Sequence, residues 1–448
     1  MSFAVPLWVW APASAQEVSG VAEIRLSEQI GASGVPWQLT ERIRPEFVAK
    51  INDRVSVTAT IDVFFSQGRS LQTEIEDVFE SSNLTSLKYA QRYLGESAVN
   101  SLWDIAGCEW PDEAPNAALG ISKLSDYTTL DRLYVDAYLP GVDLRIGRQP
   151  VQWGSAQLVN PTDPFPEVLF VEPWRYRGGL NSARATIPIG DDHQVQLLAG
   201  SDDALVHERL ATRATVRALN TDISGVAAWR GDTKEPILGL DLRGNLEVGW
   251  WFEGAVHMVE VPYEEFAVGV DYSFPVFERL YLSAQYYRNG SGDAEPGADD
   301  LTGRFASQVE PPTCDDPSVG ALFPTSSNPY APFTAGRDYL LAVLNSQITA
   351  DFGISAATIQ NLGDGTGVFV PTATVGALEW LEFSATAQVP YKAWGDGGEF
   401  RPDPDDMHLE VDVANLGING FADAKPIDLD FSGLVADAAL VIWTRAHF

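Results

Sequence analysis

The run RVSVTATIDVFF, residues 54–65, places Val55, Val57, Ala59, Ile61, Val63 and Phe65 on one parity and Arg54, Ser56, Thr58, Thr60 and Asp62 on the other. A period of two marks a strand with one apolar and one polar face. The alternation returns where Leu381, Phe383, Ala385, Ala387 and Val389 interleave with Trp380, Glu382, Ser384, Thr386 and Gln388. It returns again where Phe266, Val268, Val270, Tyr272 and Phe274 interleave with Glu265, Gly269 and Asp271. Each run is about as long as a tilted strand needs to cross a bilayer, roughly 9–11 residues.

Short reversals join such runs into eight hairpins: Asn52-Asp53, Pro140-Gly141, Gly190-Asp191, Asn220-Thr221, Gly244-Asn245, Pro275-Val276, Ala350-Asp351 and Gly376-Ala377. The complementary connections are longer and polar, near 66–128, 154–178, 289–336 and 390–433, and long and short connections are expected to alternate strictly. Adding a strand at 18–26 and a last strand ending at Phe448 predicts 18 strands, with 16 as the alternative. The expected fold class is therefore all-β: a transmembrane antiparallel up-and-down β-barrel with short periplasmic turns and long extracellular loops. A soluble sandwich would alternate too, but has no reason to sort its connections in this way.

Composition narrows the partners. The chain carries 62 acidic against 29 basic residues, a formal charge of −33, which disfavours nucleic acid. With 13 Trp, 14 Tyr and 21 Phe it is far too apolar for a disordered acidic chain. It has no apolar run near the roughly 20 residues of a membrane-spanning helix. No linker divides it, so residues 16–448 are expected to form a single barrel domain. Residues 1–15 read as a signal peptide, with an apolar stretch at 3–11 and Ala13, Ser14 and Ala15 as an A-x-A cleavage site. No Lys or Arg precedes that stretch, which fits a leader shortened at its N-terminus. At the other end Ala438, Leu440, Ile442, Thr444, Ala446 and Phe448 share one parity, and Arg445 and His447 lie on the other. A last strand ending on an aromatic residue resembles the C-terminal assembly signal of bacterial outer-membrane barrels. That resemblance implies outer-membrane lipid as the surroundings and the barrel-assembly machinery as a partner.

After the turn at Pro140 the chain reads DLRIGRQPVQWG (143–154) and then NPTDP (160–164). These stretches resemble the G-R-Q-x-x-x-W-G strand and N-P-x-D loop of porin-like outer-membrane proteins, a loose group that includes alginate-export-like barrels and uncharacterised Proteobacterial families. Gly147, Arg148, Gln149, Trp153, Gly154, Asn160, Pro161 and Asp163 carry the match. The resemblance implies a β-barrel that passes small solutes. Arg148 falls on the apolar parity of its strand. A lipid-facing Arg at mid-depth costs about 2–4 kcal/mol, so a bulge near Pro150 is expected to turn it inward.

Parity assigns a water-facing inner wall. From the early strands it includes Arg42, Arg44, Arg54, Arg132, Arg145, Arg184, Arg213 and Arg217, diluted by Asp62 and Asp136. From later strands it includes Glu253, Asp271 and Glu382. Two readings remain open: opposed basic and acidic walls that set a transverse field across a pore, or neighbouring ion pairs that satisfy one another. The connection at 154–178, dense in Pro and large side chains, is the candidate constriction loop, carrying Asp163, Glu167, Glu172, Arg175 and Arg177. Cys108 and Cys314 both fall in long external loops and could pair in an oxidising compartment. The external acidic runs lack EF-hand spacing, so no metal site is expected. No nucleophile, zinc, Walker or Rossmann motif is present, and no catalytic residue, enzyme activity or cofactor is expected. The expected function is an outer-membrane porin or substrate-specific channel for passive uptake or export of small hydrophilic or amphipathic solutes. The rivals are a plugged barrel acting as a surface receptor, adhesin or assembly partner, and a secreted soluble β-rich carbohydrate-active protein.

Overall fold

The computed structural model describes residues 16–30, 37–69, 127–157, 159–165, 177–201, 208–231, 234–259, 261–294, 336–395, 398–401, 408–411, 427–430 and 437–448. The alternating runs become β1 (Gln16–Ile30), β2 (Trp37–Asn52), β3 (Val55–Arg69), β4 (Tyr127–Leu139), β5 (Val142–Gln149), β6 (Leu180–Ile189), β7 (His193–Ser201), β8 (Glu208–Ala218) and β9 (Thr221–Arg230). They continue as β10 (Glu235–Leu246), β11 (Val248–His257), β12 (Tyr263–Phe274), β13 (Arg279–Asn289), β14 (Asp338–Thr349), β15 (Phe352–Asn361), β16 (Thr366–Leu378) and β17 (Leu381–Lys392). Last come β18 (His408–Val411), β19 (Ile427–Asp430) and β20 (Ala438–His447). β1 to β17 and β20 form one 18-stranded sheet in which each strand pairs antiparallel with the next, while β18 and β19 form a separate antiparallel pair.

The sheet closes because β20 pairs with both β17 and β1, in register from Val21↔His447 to Ile30↔Ala438. At the seam Gly20 and Phe448 exchange backbone hydrogen bonds of 2.8 and 3.1 Å. The Phe448 ring lies where a Cβ on residue 20 would stand, 2.6 Å from its nearest carbon, so glycine is needed there for the terminal ring to pack. Closure leaves no sheet edge, the condition for strands to stand in hydrocarbon.

The two faces separate as alternation demands. Ile24, Ile43, Ile146, Leu197, Leu240, Val270, Phe369, Phe383 and Ile442 point outward and are exposed, an apolar belt suited to lipid. Thr58, Thr60, Asp62, Ser384 and Thr386 point inward and are buried.

Two reversals lie further along the chain than expected. Gly244 and Asn245 belong to β10, and the chain reverses at Glu247, a non-glycine residue at φ 80°. Gly376 and Ala377 belong to β16, and the reversal follows Leu378. Gly244 serves a close approach instead of a turn: a Cβ there would lie 2.4 Å from the Trp250 ring. Strict alternation of connection length also fails, since the links from β9 to β10 and from β15 to β16 run only over 231–234 and 362–365. The expected bulge near Pro150 is absent from the described register of β5. The bulge sits one strand away, where the register shifts between Thr60 and Ile61 and makes Asp131 the extra residue of β4.

Across the seam Arg445 donates from Nε and Nη2 to Glu23 Oε2 at 3.2 and 2.8 Å, and Glu23 is buried. Replacing Arg445 with Leu leaves that carboxylate short of its main donor. Arg445→Leu should lower stability by about 2 kcal/mol, read as an earlier midpoint in urea unfolding of the detergent-solubilised barrel. An unchanged midpoint would show that the pair does not help hold the seam.

Candidate functional site

The inner wall is built from cross-strand ion pairs. On β2 and β3, Arg42 donates from Nε and Nη2 to the two oxygens of Asp62 at 2.8 and 2.7 Å. Arg44 on β2 bridges Asp62 and Asp131. Asp131 reaches the interior only because the β4 bulge turns both it and Arg132 inward, and Arg132 Nε lies 3.4 Å from its carboxylate. On β4 and β5, Asp136 takes Arg145 Nε and Nη2 at 2.6 and 3.1 Å, and the Arg145 guanidinium lies 4.2 Å over the Tyr134 ring. Further round, Arg213 pairs with Asp241 at 2.7 Å and Arg243 with Asp271 at 2.6 Å. Glu382 stands in register with Arg445 and accepts from Ser384 Oγ at 3.3 Å. Two expected wall residues sit at the ends of strands instead: Arg54 lies exposed in the β2–β3 turn, and Arg217 is half-exposed beside Asp222 at 3.7 Å. Of the two electrostatic readings, neighbouring pairs describe these contacts; Asp131 and Asp241, not assigned from sequence, supply much of the counter-charge.

The stretch from Val151 to Phe165 crosses the inner face of the barrel. Val151, Trp153 and Phe165 pack against Leu180, Leu198, Ala211, Val226, Ile237 and Ala255, inward residues of β6 to β11. Ala156 and Val159 pack against Trp251, Ala267, Tyr287, Tyr339, Leu341 and Ile359, inward residues of β11 to β15. The apolar core of this molecule is therefore inside the barrel and runs between the segment and one side of the wall.

Polar anchors hold the segment at fixed points. Glu253, 0% exposed at the middle of β11, accepts from the Ala156 N–H, from the Thr162 N–H at 3.2 Å and from Thr162 Oγ1 at 2.8 Å. Gln285 on β13 accepts the Gln157 N–H and Trp251 Nε1, each at 3.1 Å, and donates to the Val159 carbonyl at 3.1 Å. Arg243 Nη1 donates to the Ser155 carbonyl at 3.2 Å, and the Ser155 hydroxyl bonds Asp241. Gly154 has φ +93°, and a Cβ there would stand 2.7 Å from the Glu253 carboxylate, so both backbone and space require glycine.

The residues that carried the family resemblance fold this segment. Gly147, at φ +128°, passes under the Leu133 carbonyl, 2.1 Å from where a Cβ would lie. Gln149, 0% exposed, donates to the carbonyls of Arg145 and Ser182 at 3.1 and 3.0 Å. Arg148 stays in register between Leu133 and Asn181, half-buried. Asn160-Pro161-Thr162-Asp163 is a β-turn closed by the Asp163 N–H on the Asn160 carbonyl at 3.0 Å, with Pro at its favoured second position. Asp163 accepts the Phe165 N–H at 3.1 Å and Arg177 Nη2 at 2.6 Å, and Arg177 also reaches the Phe165 carbonyl at 2.6 Å. Burial pushes the Asp163 carboxyl above its usual range, and the Arg177 charge and N–H donors pull partly the other way.

Asp163 and Arg177 thus clasp each other at the far end of the segment. Glu167, Glu172 and Arg175 lie outside the described residues, as do Cys108 and Cys314 and residues 1–15. Sequence reasoning missed Gln285, Asp241 and Asp131. Asp241 shares the parity of Arg243 and was within reach of the alternation; neutral Gln285 carried no signal, and Asp131 was hidden by the bulge. Among the described residues no group of His, Cys, Asp and Glu is arranged to hold a metal ion.

No family model matches the chain, and no curated protein matches it. Among solved structures it is similar to OccK11 (OpdR) of Pseudomonas aeruginosa, at 9% identity and a TM-score of 0.48 over 97% of this chain and 96% of that one. It is also similar to a triple mutant of the Rhodopseudomonas blastica porin, at 10% identity and a TM-score of 0.40 over 97% of this chain and 100% of that one. In-vitro folded OmpT, an outer membrane protein of Vibrio cholerae, aligns at 7% identity and a TM-score of 0.38 over 97% of both chains. The closed, even-stranded antiparallel ladder and its apolar exterior decide the class. The chain is a membrane-spanning β-barrel.

Glu253→Ala would strip an acceptor from three donors of the inward segment at once. The segment should loosen by about 3 kcal/mol, seen as faster hydrogen exchange at the Ala156 and Thr162 amides with the barrel amides unchanged. Equal protection in the variant would show that the apolar contacts alone hold the segment.

Proposed function

We propose that this barrel is a porin or substrate-specific channel that passes small hydrophilic or amphipathic solutes passively, without cofactor or energy coupling. One observation carries the reading: a segment pinned by Glu253 and Gln285 lies against the inner face of a closed barrel whose wall on other strands carries arginine–carboxylate pairs. Such an arrangement narrows a lumen while keeping its lining polar, and the residues that line and narrow a pore decide what passes. The constriction would then be set by residues 151–157 and 159–165 and by Arg177, with Arg132, Asp136, Arg145, Arg184, Arg213, Asp271 and Glu382 lining the path and the buried Arg42, Arg44 and Asp62 bracing the wall. Glu253 acts beneath the segment as its support.

The apolar clusters inside the barrel favour a second reading, since they fill part of the interior. A barrel filled across its whole section would serve as a receptor, adhesin or assembly partner through its external loops.

Single-channel recording on the protein purified from membranes in detergent, under a salt gradient in a planar bilayer, separates the two. Stable current steps with a defined reversal potential are expected, and Gln157→Trp should shrink the steps, because the Gln157 side chain lies exposed on the segment. Insertion without steps would overturn the channel in favour of the receptor.

A further inference from the structure

Arg184 breaks the pairing rule of the inner wall. It shares the inward parity of Leu180 and Ser182 on β6, and its partners across the ladder are Arg145 on β5 and Leu198 on β7. At Arg42, Arg44, Arg213 and Arg243 the fold supplies a carboxylate from a nearby strand. Opposite Arg184 it supplies a second guanidinium. Like charges placed directly across a ladder destabilise a sheet, and Arg184 makes no hydrogen bond or ion pair with any described residue.

The local charges do not cancel. Asp136 is the carboxylate on the same rung, across from Arg145, and both its oxygens are engaged by Arg145 Nε and Nη2. Asp143, two residues nearer the turn, stands in register with Thr186 and forms no ion pair with Arg184 among the described contacts. Arg213, the next arginine round the wall, is held by Asp241 and Ser224. Two guanidinium groups therefore face one carboxylate. Arg145 is fixed in orientation by its bidentate pair and by the Tyr134 ring, while the partly buried Arg184 keeps its donors free.

We propose that Arg184 and Arg145 form an oxyanion-binding site on the inner wall, taking the carboxylate or phosphate group of a solute that enters the barrel. This rests on the channel reading for its purpose, although the site itself requires only the wall. A planar guanidinium with unspent donors matches the two oxygens of a carboxylate or phosphate, and an anion bound there relieves the repulsion between the two arginines.

Isothermal titration calorimetry on the full chain purified from membranes in detergent at low salt tests the site, with inorganic phosphate and acetate as probes. The native barrel should bind phosphate, and Arg184→Gln should weaken binding about tenfold or more. Arg184→Lys, which keeps the charge and loses the fork, should fall between the two. Since Arg184→Gln removes a repulsion and breaks no ion pair, the variant should retain the native β-sheet circular dichroism spectrum. Phosphate binding unchanged in Arg184→Gln, or absent from the native barrel, would overturn the site. Current recordings keep the two ideas apart: a barrel that binds phosphate through Arg184 but passes no current retains the site and loses the channel. A conducting barrel that binds no phosphate retains the channel and loses the site.

Discussion

Hydrocarbon offers no partner to a backbone N–H or C=O, so every such group on a membrane-spanning strand must be paired within the sheet. In this chain that demand is met only when β20 reaches both β17 and β1, a pairing between segments more than 400 residues apart at the Glu23–Arg445 contact. The details of the seam follow from it. Gly20 leaves room for the Phe448 ring, the terminal residue returns its backbone bonds to Gly20, and a buried salt bridge ties the same two strands from within. An open sheet with these side chains would present unpaired edges to lipid.

Closure also reverses the usual placement of polarity. The exposed face is apolar and the enclosed face must take the charge, so charged groups here are buried beside one another where unpaired charge is costly. The wall answers with guanidinium forks set against carboxylates on nearby strands. The molecule's apolar core is then built by an added element: the segment from Val151 to Phe165 brings Trp153, Val159 and Phe165 inside, against inward residues of β6 to β15. Packing and hydrogen bonding cooperate there, since Glu253 and Gln285 fix the height at which those side chains meet the wall. Against this background Arg184 stands out, because the strand facing it supplies a second guanidinium that is already spent on Asp136.

Neither the reversal at Glu247 nor the bulge at Asp131 is marked by the residues around it. Glycine marks both reversals and close approaches, and at Gly244 the neighbouring Trp250 ring, not a turn, is what requires it. The chain instead reverses at Glu247, whose positive φ no composition rule would favour. The bulge at Asp131 is equally silent in sequence, since one extra residue shifts the parity of a strand without changing its character. Arg44 therefore acquired a partner that alternation had placed nowhere.

What the sequence by itself determined is the barrel: strand existence, strand number and the two faces, because alternation is a local property carried by each run of about ten residues. Its motif at 147–163 also marked where an unusual segment begins. Only the tertiary structure decided where that segment goes and which charges meet. Glu253 and Thr162 lie 91 residues apart, Gln285 and Val159 lie 126 apart, and Arg44 and Asp131 lie 87 apart. Such contacts depend on the register of strands around the closed circumference, and no period within a single strand encodes that register.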